Sequence, residues 1–390
     1  MPRNAAWTLW LLALGLGTGS ARTWTDRQGR QLEGELIEQQ TDRILLRLDD
    51  SGKTVPVPLA LLSDEDLQYL QSLDPGAKDR LPSPSQGAAK LRGADFGTPW
   101  PSEVRGELDI PVEELGQDES GFYLYRTPHF EFQSEAALSA SIVREFSRIF
   151  ETTRQAIAAL PLALPIAPEP GRDYFTTRLF RDRAGYFAAG GPEGSAGVYL
   201  GREKLIMIPL ENLGVREVGR RFVLDAGEES HTLIHEIVHQ VTNRQRGWPT
   251  WLIEGLADYI ASTDYRNARF SFTNKTRQAK SYLEERRGVD DRNPKLPQVH
   301  LLLEMSPLTF YNSANSLEHY AMGLLLFLYF AHLEGDEKGS SLQAYLAALE
   351  NKTAERKARQ EILLGGQTLE AFAEDFLSKW RSAGLRIDFY

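Results

Sequence analysis

The chain has 390 residues, a formal charge of −10 and a pI near 5.4, with 7 histidines and no cysteine. Such an acidic balance argues against nucleic acid or anionic membranes as main partners. Without cysteine there are no disulfides and no lipid-modified thiol. Stability must then come from a buried core, which a chain of this length can supply.

Met1–Ala21 carries Arg3, an apolar run from Trp7 to Gly17, and the small residues Gly19 and Ala21. That order reads as a secretory signal peptide, with an uncleaved anchor as the alternative; the run is short for a stable bilayer span. The expected location is therefore the periplasm or the extracellular side of a cell envelope, with no transmembrane span in the mature chain.

From Arg22 to Leu73 the apolar period is two: Leu32, Gly34 and Leu36, then Ile44, Leu46 and Leu48, then Val55, Val57 and Leu59. Turn residues at Asp26–Gly29 and Asp49–Gly52 separate these runs. Ser63 and Asp66 form a capping box, and Leu62 with Leu67 can staple the start of a closing helix. The pattern predicts a small β-barrel. Its Trp24-Thr25-Asp26, Gly29-Arg30, Leu62-Ser63, Asp66 and Tyr69 resemble the SLA-type homology module, which implies an SH3-like barrel. No catalytic constellation lies in it, so its role is either structural or the binding of a cell-envelope ligand. Residues 74–121, rich in Pro, Gly and Ser around Pro82-Ser83-Pro84-Ser85, read as an extended linker.

Residues 122–390 form the second expected domain. Strands are predicted at Phe122–Tyr125 and His129–Phe132, where His129 reads as a paired strand residue rather than a ligand. A long helix over Glu135–Leu160 follows, with Ile142, Phe146, Ile149, Phe150 and Ile157 at helical spacing. Tyr174–Phe180 is another strand, and Gly197–Leu200 with Leu205–Ile208 a hairpin. Beyond Asp258 helices are expected near Lys275–Arg287, Ser316–Leu333, Ser341–Leu349 and Leu369–Arg381. The apolar run Leu324–Phe330 is too short to span a bilayer and reads as a core helix.

Between these elements lies His231–Asp258. Leu233, Ile234, Ile237, Val238 and Val241 recur at helical spacing, and His235 and His239, four apart, lie one above the other. They can offer two imidazole nitrogens to one metal ion, with Glu236 directed at the open coordination site as a base. His231, a further turn away, is out of reach of the same ion. After Gly247-Trp248-Pro249, Thr250 is the expected N-cap of a second helix. Its Glu254 and Asp258 share one face. Folded back on the first helix, Glu254 supplies a third ligand and Asp258 accepts the other N–H of a ligand histidine. The bland reading is two core histidines beside solvated carboxylates.

His235-Glu236-Ile237-Val238-His239 followed by Trp251-Leu252-Ile253-Glu254-Gly255-Leu256-Ala257-Asp258-Tyr259 resembles the gluzincin class of zinc metallopeptidases, and most nearly the peptidase MA-like family. The likeness runs from about Phe122 to Trp380. It takes in Arg126-Thr127-Pro128-His129-Phe130, Ala196-Gly197-Val198-Tyr199 and the segment around Tyr320. Metzincins are excluded, because their pattern needs Gly and His where Thr242 and Gln245 stand. The interval from His239 to Glu254 is shorter than in thermolysin.

The resemblance implies an α+β fold: a small mixed sheet, an active-site helix and a helical C-terminal half. It implies one Zn2+ on His235, His239 and Glu254, with Glu236 as general base. It implies that Gly197, Val198 and Tyr199 form an edge strand pairing with substrate backbone, an ordinary hairpin being the alternative. It also implies that Tyr320, with His319 as competitor, donates to the oxyanion. The expected function is an exported zinc metallopeptidase acting on a peptide or protein. The alternatives are a catalytically silent zinc-site adhesion protein of the cell envelope, or the same site cleaving a small amide or ester.

Overall fold

A computed structural model describes residues 22–73 and 98–390, except 26–30, 40–42, 49–52, 59–61, 194, 220, 225–230, 246, 291 and 336. The signal-peptide segment, the Pro82–Ser85 stretch and the tight turns expected at Asp26–Gly29 and Asp49–Gly52 lie outside these residues, wholly or in large part. The chain divides into two compact units, Met1–Ala89 and Lys90–Tyr390. Its fold class is α+β.

In the first unit, β1 (Arg22–Thr25), β2 (Gln31–Gln39), β3 (Arg43–Leu48) and β4 (Thr54–Pro58) form an antiparallel meander in that order. Helix α1 (Asp64–Leu73) closes it over a core of Trp24, Ile44, Leu46, Leu62 and Leu70. So few apolar residues need a polar clasp. Asp66, 2% exposed, accepts the amide of Thr25 at 2.6 Å and the guanidinium of Arg22 at 2.5 Å, while its own amide donates to Ser63 Oγ at 3.1 Å. The capping box thereby also ties α1 to β1.

The second unit begins earlier than the linker reading allows. Trp100 packs edge-on to Tyr259 at 5.9 Å and His332 at 4.7 Å, and its indole N–H donates to the Lys338 carbonyl at 2.8 Å. Strands β5 (Glu103–Arg105) and β6 (Glu113–Gln117) follow. These are three and five residues long, and β6 is exposed throughout, so neither shows an apolar period. The partner of β5 lies far along the chain.

The main sheet has six strands in the order β10-β11-β9-β8-β7-β6. They are β7 (Tyr123–Arg126), β8 (Phe130–Ser134), β9 (Phe175–Phe180), β10 (Val198–Leu200) and β11 (Leu205–Pro209), with β6 at one edge and β10 at the other. The β8–β9 and β9–β11 pairs are parallel and the rest antiparallel. Helix α2 (Ala140–Ala158) covers one face, where Phe132 meets Phe146 at 5.1 Å and Phe150 at 5.0 Å. Helix α3 (Arg183–Ala188) covers part of the other. Buried β11 divides its side chains accordingly, Ile206 and Ile208 to the main core and Leu205 and Met207 to a smaller cluster with Phe180 and Tyr186. A hairpin unforeseen in the sequence, β12 (Val215–Val218) and β13 (Arg221–Leu224), precedes α4 (His231–Thr242).

Helix α5 (Thr250–Ala261) packs on α4. Pro249, not Thr250, is its N-cap; Thr250 is the first helical residue and makes no capping bond. Then come β14 (Asp264–Tyr265), β15 (Arg269–Ser271) and α6 (Lys275–Arg287), with β15 pairing β14 and β5. Helices α7 (Val299–Leu303), α8 (Pro307–Asn312) and α9 (Ser316–Leu328) follow, and α9 runs on through a π-type turn, Tyr329–Leu333. From Ala321 to Leu328 every residue of α9 is buried, as a core helix requires. It lies unusually close to α5: a Cβ placed on Gly255 would meet the Gly323 carbonyl oxygen at 2.4 Å. Only glycine permits that approach, which sets the depth of the buried face of α5. Among the described residues no helix is long and apolar enough to cross a membrane.

Candidate metal centre

The 3.6-residue repeat stacks His235 and His239 on the face of α4 turned towards α5. Their Nε2 atoms are 2.9 Å apart, and Glu254 Oε2 on α5 lies 3.2 Å from each. A tetrahedral cation with bonds of ~2.0 Å sets its ligand atoms ~3.3 Å apart, so the three atoms have the spacing of a metal ligand set. Glu254 is 3% exposed, and Oε2 is buried without a hydrogen-bond partner. Its other oxygen, Oε1, accepts the hydroxyl of Tyr311 at 2.7 Å. One carboxylate oxygen is thus engaged by the Tyr311 hydroxyl, and the other faces two imidazoles.

Asp258, one turn on and fully buried, is placed behind His235. It accepts from His235 Nδ1 at 2.8 Å, from Tyr282 Oη at 2.9 Å, and from Arg287 through Nε at 3.0 Å and through Nη2. In the neutral ring, donation from Nδ1–H leaves the lone pair of His235 on Nε2, towards Glu254. Burial opposes charge on His235, but the Asp258 and Glu254 carboxylates outweigh it and raise the ring to about 10. Burial would likewise lift Glu254, yet His239 and His235 hold its carboxyl well below the ordinary range. Asp258 is also held low, by Arg287 and His235 against burial. Three ligand atoms at such separations need a cation, and in this state a proton on His235 supplies the charge. A divalent metal can take its place.

Glu236 is half-buried, and its Oε2 accepts the backbone amide of Tyr199 at 2.7 Å. Gly197, Val198 and Tyr199 thus stand at the sheet edge beside the histidines; Gly197 immediately precedes β10. The free amide of that edge is given to Glu236. His231 is occupied elsewhere: its Nδ1 bonds the Ala261 carbonyl and its ring sits on Tyr282 at 5.7 Å. His129, just before β8, bonds Glu151 at 2.7 Å. Of the two competitors on α9, His319 is buried with Nδ1 on the Phe310 carbonyl at 3.0 Å. The Tyr320 ring lies 6.1 Å from that of His235, with the Arg287 guanidinium over its face at 4.3 Å. Burial and the Glu254 charge push the hydroxyls of both Tyr320 and Tyr311 upward, so each remains a proton donor.

Four contributors were not foreseen: Arg287, Tyr282, Tyr311 and the Tyr199 amide. A backbone N–H has no residue signature. Arg287 closes α6 immediately before Gly288, an ordinary helix end. Tyr311 rides on a helix of only six residues, too short for periodicity, although Ser306 as N-cap followed by Pro307 marks its start.

Residues 18–76 match the family model described as SLA1 homology domain 1 (SHD1). Residues 229–352, which carry the histidines, Glu254, Asp258, Tyr311 and Tyr320, match the model described as a protein of unknown function (DUF1570). No curated protein matches the chain. The chain therefore carries an SLA1 homology domain at its N-terminal end and a DUF1570 domain in its C-terminal part.

Proposed function

We propose that this protein is an exported zinc-dependent metallopeptidase of gluzincin type. The observation that carries the reading is the convergence of His235 Nε2, His239 Nε2 and the unpartnered Glu254 Oε2, with Asp258 fixing the His235 tautomer. Nitrogen and oxygen donors in this number suit Zn2+, and a three-residue set leaves a coordination position open. A bound Zn2+ would supply Lewis acidity towards a water and a peptide carbonyl.

The chain's own groups do the rest. Glu236, oriented by the Tyr199 amide, takes the proton from the attacking water and delivers it to the departing amine. The Tyr320 hydroxyl makes no hydrogen bond to any described residue, which leaves it available to the oxygen of the tetrahedral adduct. Arg287, stacked on that ring and bonded to Asp258, ties the tyrosine to the histidine support. Tyr311 keeps Glu254 Oε1 occupied and directs Oε2 inward. The outer edge of β10, whose Tyr199 amide Glu236 holds, is the strand we assign to pairing with an extended peptide.

The test is metal content together with cleavage of an unfolded protein. Wild type is expected to bind one zinc and to cut, with a chelator abolishing cleavage. Glu236→Gln is expected to keep the zinc and lose turnover by at least about a hundredfold. Zinc binding without cleavage would leave a non-catalytic binding protein, and full activity of Glu236→Gln would overturn the chemistry.

A further inference from the structure

Beside β10 a shallow cleft is lined by residues of the loop preceding β9 and of the last turn of α4. Tyr174, Tyr199, Arg172, Lys204 and Arg244 line it, with Glu169 as the one carboxylate. Glu169 is largely committed: its Oε1 accepts Asn243 Nδ2 at 2.7 Å and lies 3.9 Å from Lys204 Nζ, which itself donates to Asn243 Oδ1 at 2.9 Å. Arg172 makes one long bond, 3.4 Å, to the Lys204 carbonyl. Among the described residues, neither Arg172 nor Arg244 has a carboxylate partner. Exposed Arg172 and half-buried Arg244 thus present two guanidinium groups without a carboxylate partner at this cleft, in a chain whose net charge is −10.

The cleft is coupled to the centre through two residues. Tyr199 lines the cleft, and its amide holds Glu236. Gln240, another lining residue, directly follows His239, and its buried Oε1 lacks a partner and so can accept an N–H. We infer that this cleft is a recognition site for a carboxylate of the peptide laid along β10. Guanidinium groups match that anion in charge and in planar, bidentate geometry. The assignment rests on the reading of β10 as the substrate-pairing strand. The carboxylate can come from an acidic side chain or from the peptide's C-terminus, and the test separates the two.

Three labelled peptides are titrated into zinc-loaded Glu236→Gln protein and followed by fluorescence anisotropy. One is an alternating Ala-Glu repeat with an amidated end, the second an amidated Ala-Gln repeat, the third an Ala-Gln repeat with a free C-terminus. A carboxylate peptide is expected to bind about tenfold more tightly than amidated Ala-Gln. That preference should fall to about twofold or less in the Arg172→Ala, Arg244→Ala double variant, with amidated Ala-Gln affinity unchanged. Tighter binding by Ala-Glu identifies a side-chain site, and by free-ended Ala-Gln alone a chain-end site. The chain's overall negative charge repels acidic peptides, so bulk attraction cannot mimic the result. Equal binding of all three, or a preference that survives the double variant, overturns the assignment. Cleavage by wild type is scored separately. Cleavage without preference removes only the carboxylate site, and preference without cleavage removes only the peptidase reading.

Discussion

Glu254 and Asp258 sit one turn apart on the same buried face of α5, yet their surroundings differ. Around Asp258 every demand is met: Arg287, Tyr282 and His235 all donate to it. Around Glu254 one oxygen is bonded by Tyr311 and the other is buried without a partner beside two imidazoles. A saturated buried carboxylate is architecture. One whose second oxygen meets only two imidazoles, 3.2 Å from each, depends on a cation there to offset its desolvation.

The largest expected effect separates the two halves. Asp258→Ala leaves the half-buried Arg287 guanidinium without its carboxylate and unable to lose its proton, and should lower metal-free stability by about 3 kcal/mol. Glu254→Ala leaves only His235, which can shed its proton, so its loss should be less than about half as large. The same substitution should weaken zinc binding by at least about a hundredfold. Urea unfolding of metal-free protein and competition with a chromophoric chelator measure both, and equal stability losses would erase the distinction.

Next is the residue between them. Gly255→Ala puts a methyl where the Gly323 carbonyl stands and forces α5 off α9, costing about 2–3 kcal/mol. It should loosen zinc binding as well, since both carboxylates move with the helix. An unchanged melting temperature would mean that the two helices separate without consequence.

Acidity distinguishes the halves again. His235 is raised from 6.5 to about 10. Its contribution to metal-free stability is therefore whole below pH 6.5 and lost as pH rises through about 10. Zinc must displace that proton, so affinity should climb about tenfold per pH unit over the interval. The lowered Glu254 and Asp258 act in the opposite sense, stabilising above the ordinary carboxylate range and failing as pH falls through their depressed values. Arg287 keeps its proton at alkaline pH, so Glu254→Ala should flatten the alkaline limb. An alkaline loss unchanged in that variant would place its origin outside the His235–Glu254 half.

The smallest effect concerns how Glu254 is aimed. Tyr311→Phe removes only the hydroxyl on Oε1 and should weaken zinc about tenfold, with metal-free stability within about 0.5 kcal/mol. Loss of stability without loss of zinc would make Tyr311 a packing residue.

How much of this was legible beforehand follows from distance along the chain. His235, Glu236 and His239 occupy two turns of one helix, and Glu254 with Asp258 two turns of the next, so their shared faces follow from helical repeat alone. Trp100 and β5 fall within the stretch whose composition predicts a linker, because their partners, Tyr259, His332 and β15, are remote and because three residues carry no period. Tyr311 fell in a gap between predicted helices for a similar reason.

The amino-acid order by itself determined the local geometry of the longer helices: which faces they present, and which two imidazoles can meet one cation. Tertiary packing alone decided which carboxylate oxygen stayed unpartnered, that Arg287 saturates Asp258, and that the Tyr199 amide turns to Glu236. Those outcomes depend on how closely separate elements approach, as where Gly255 meets Gly323. Spacing along a chain constrains such distances only within a single element.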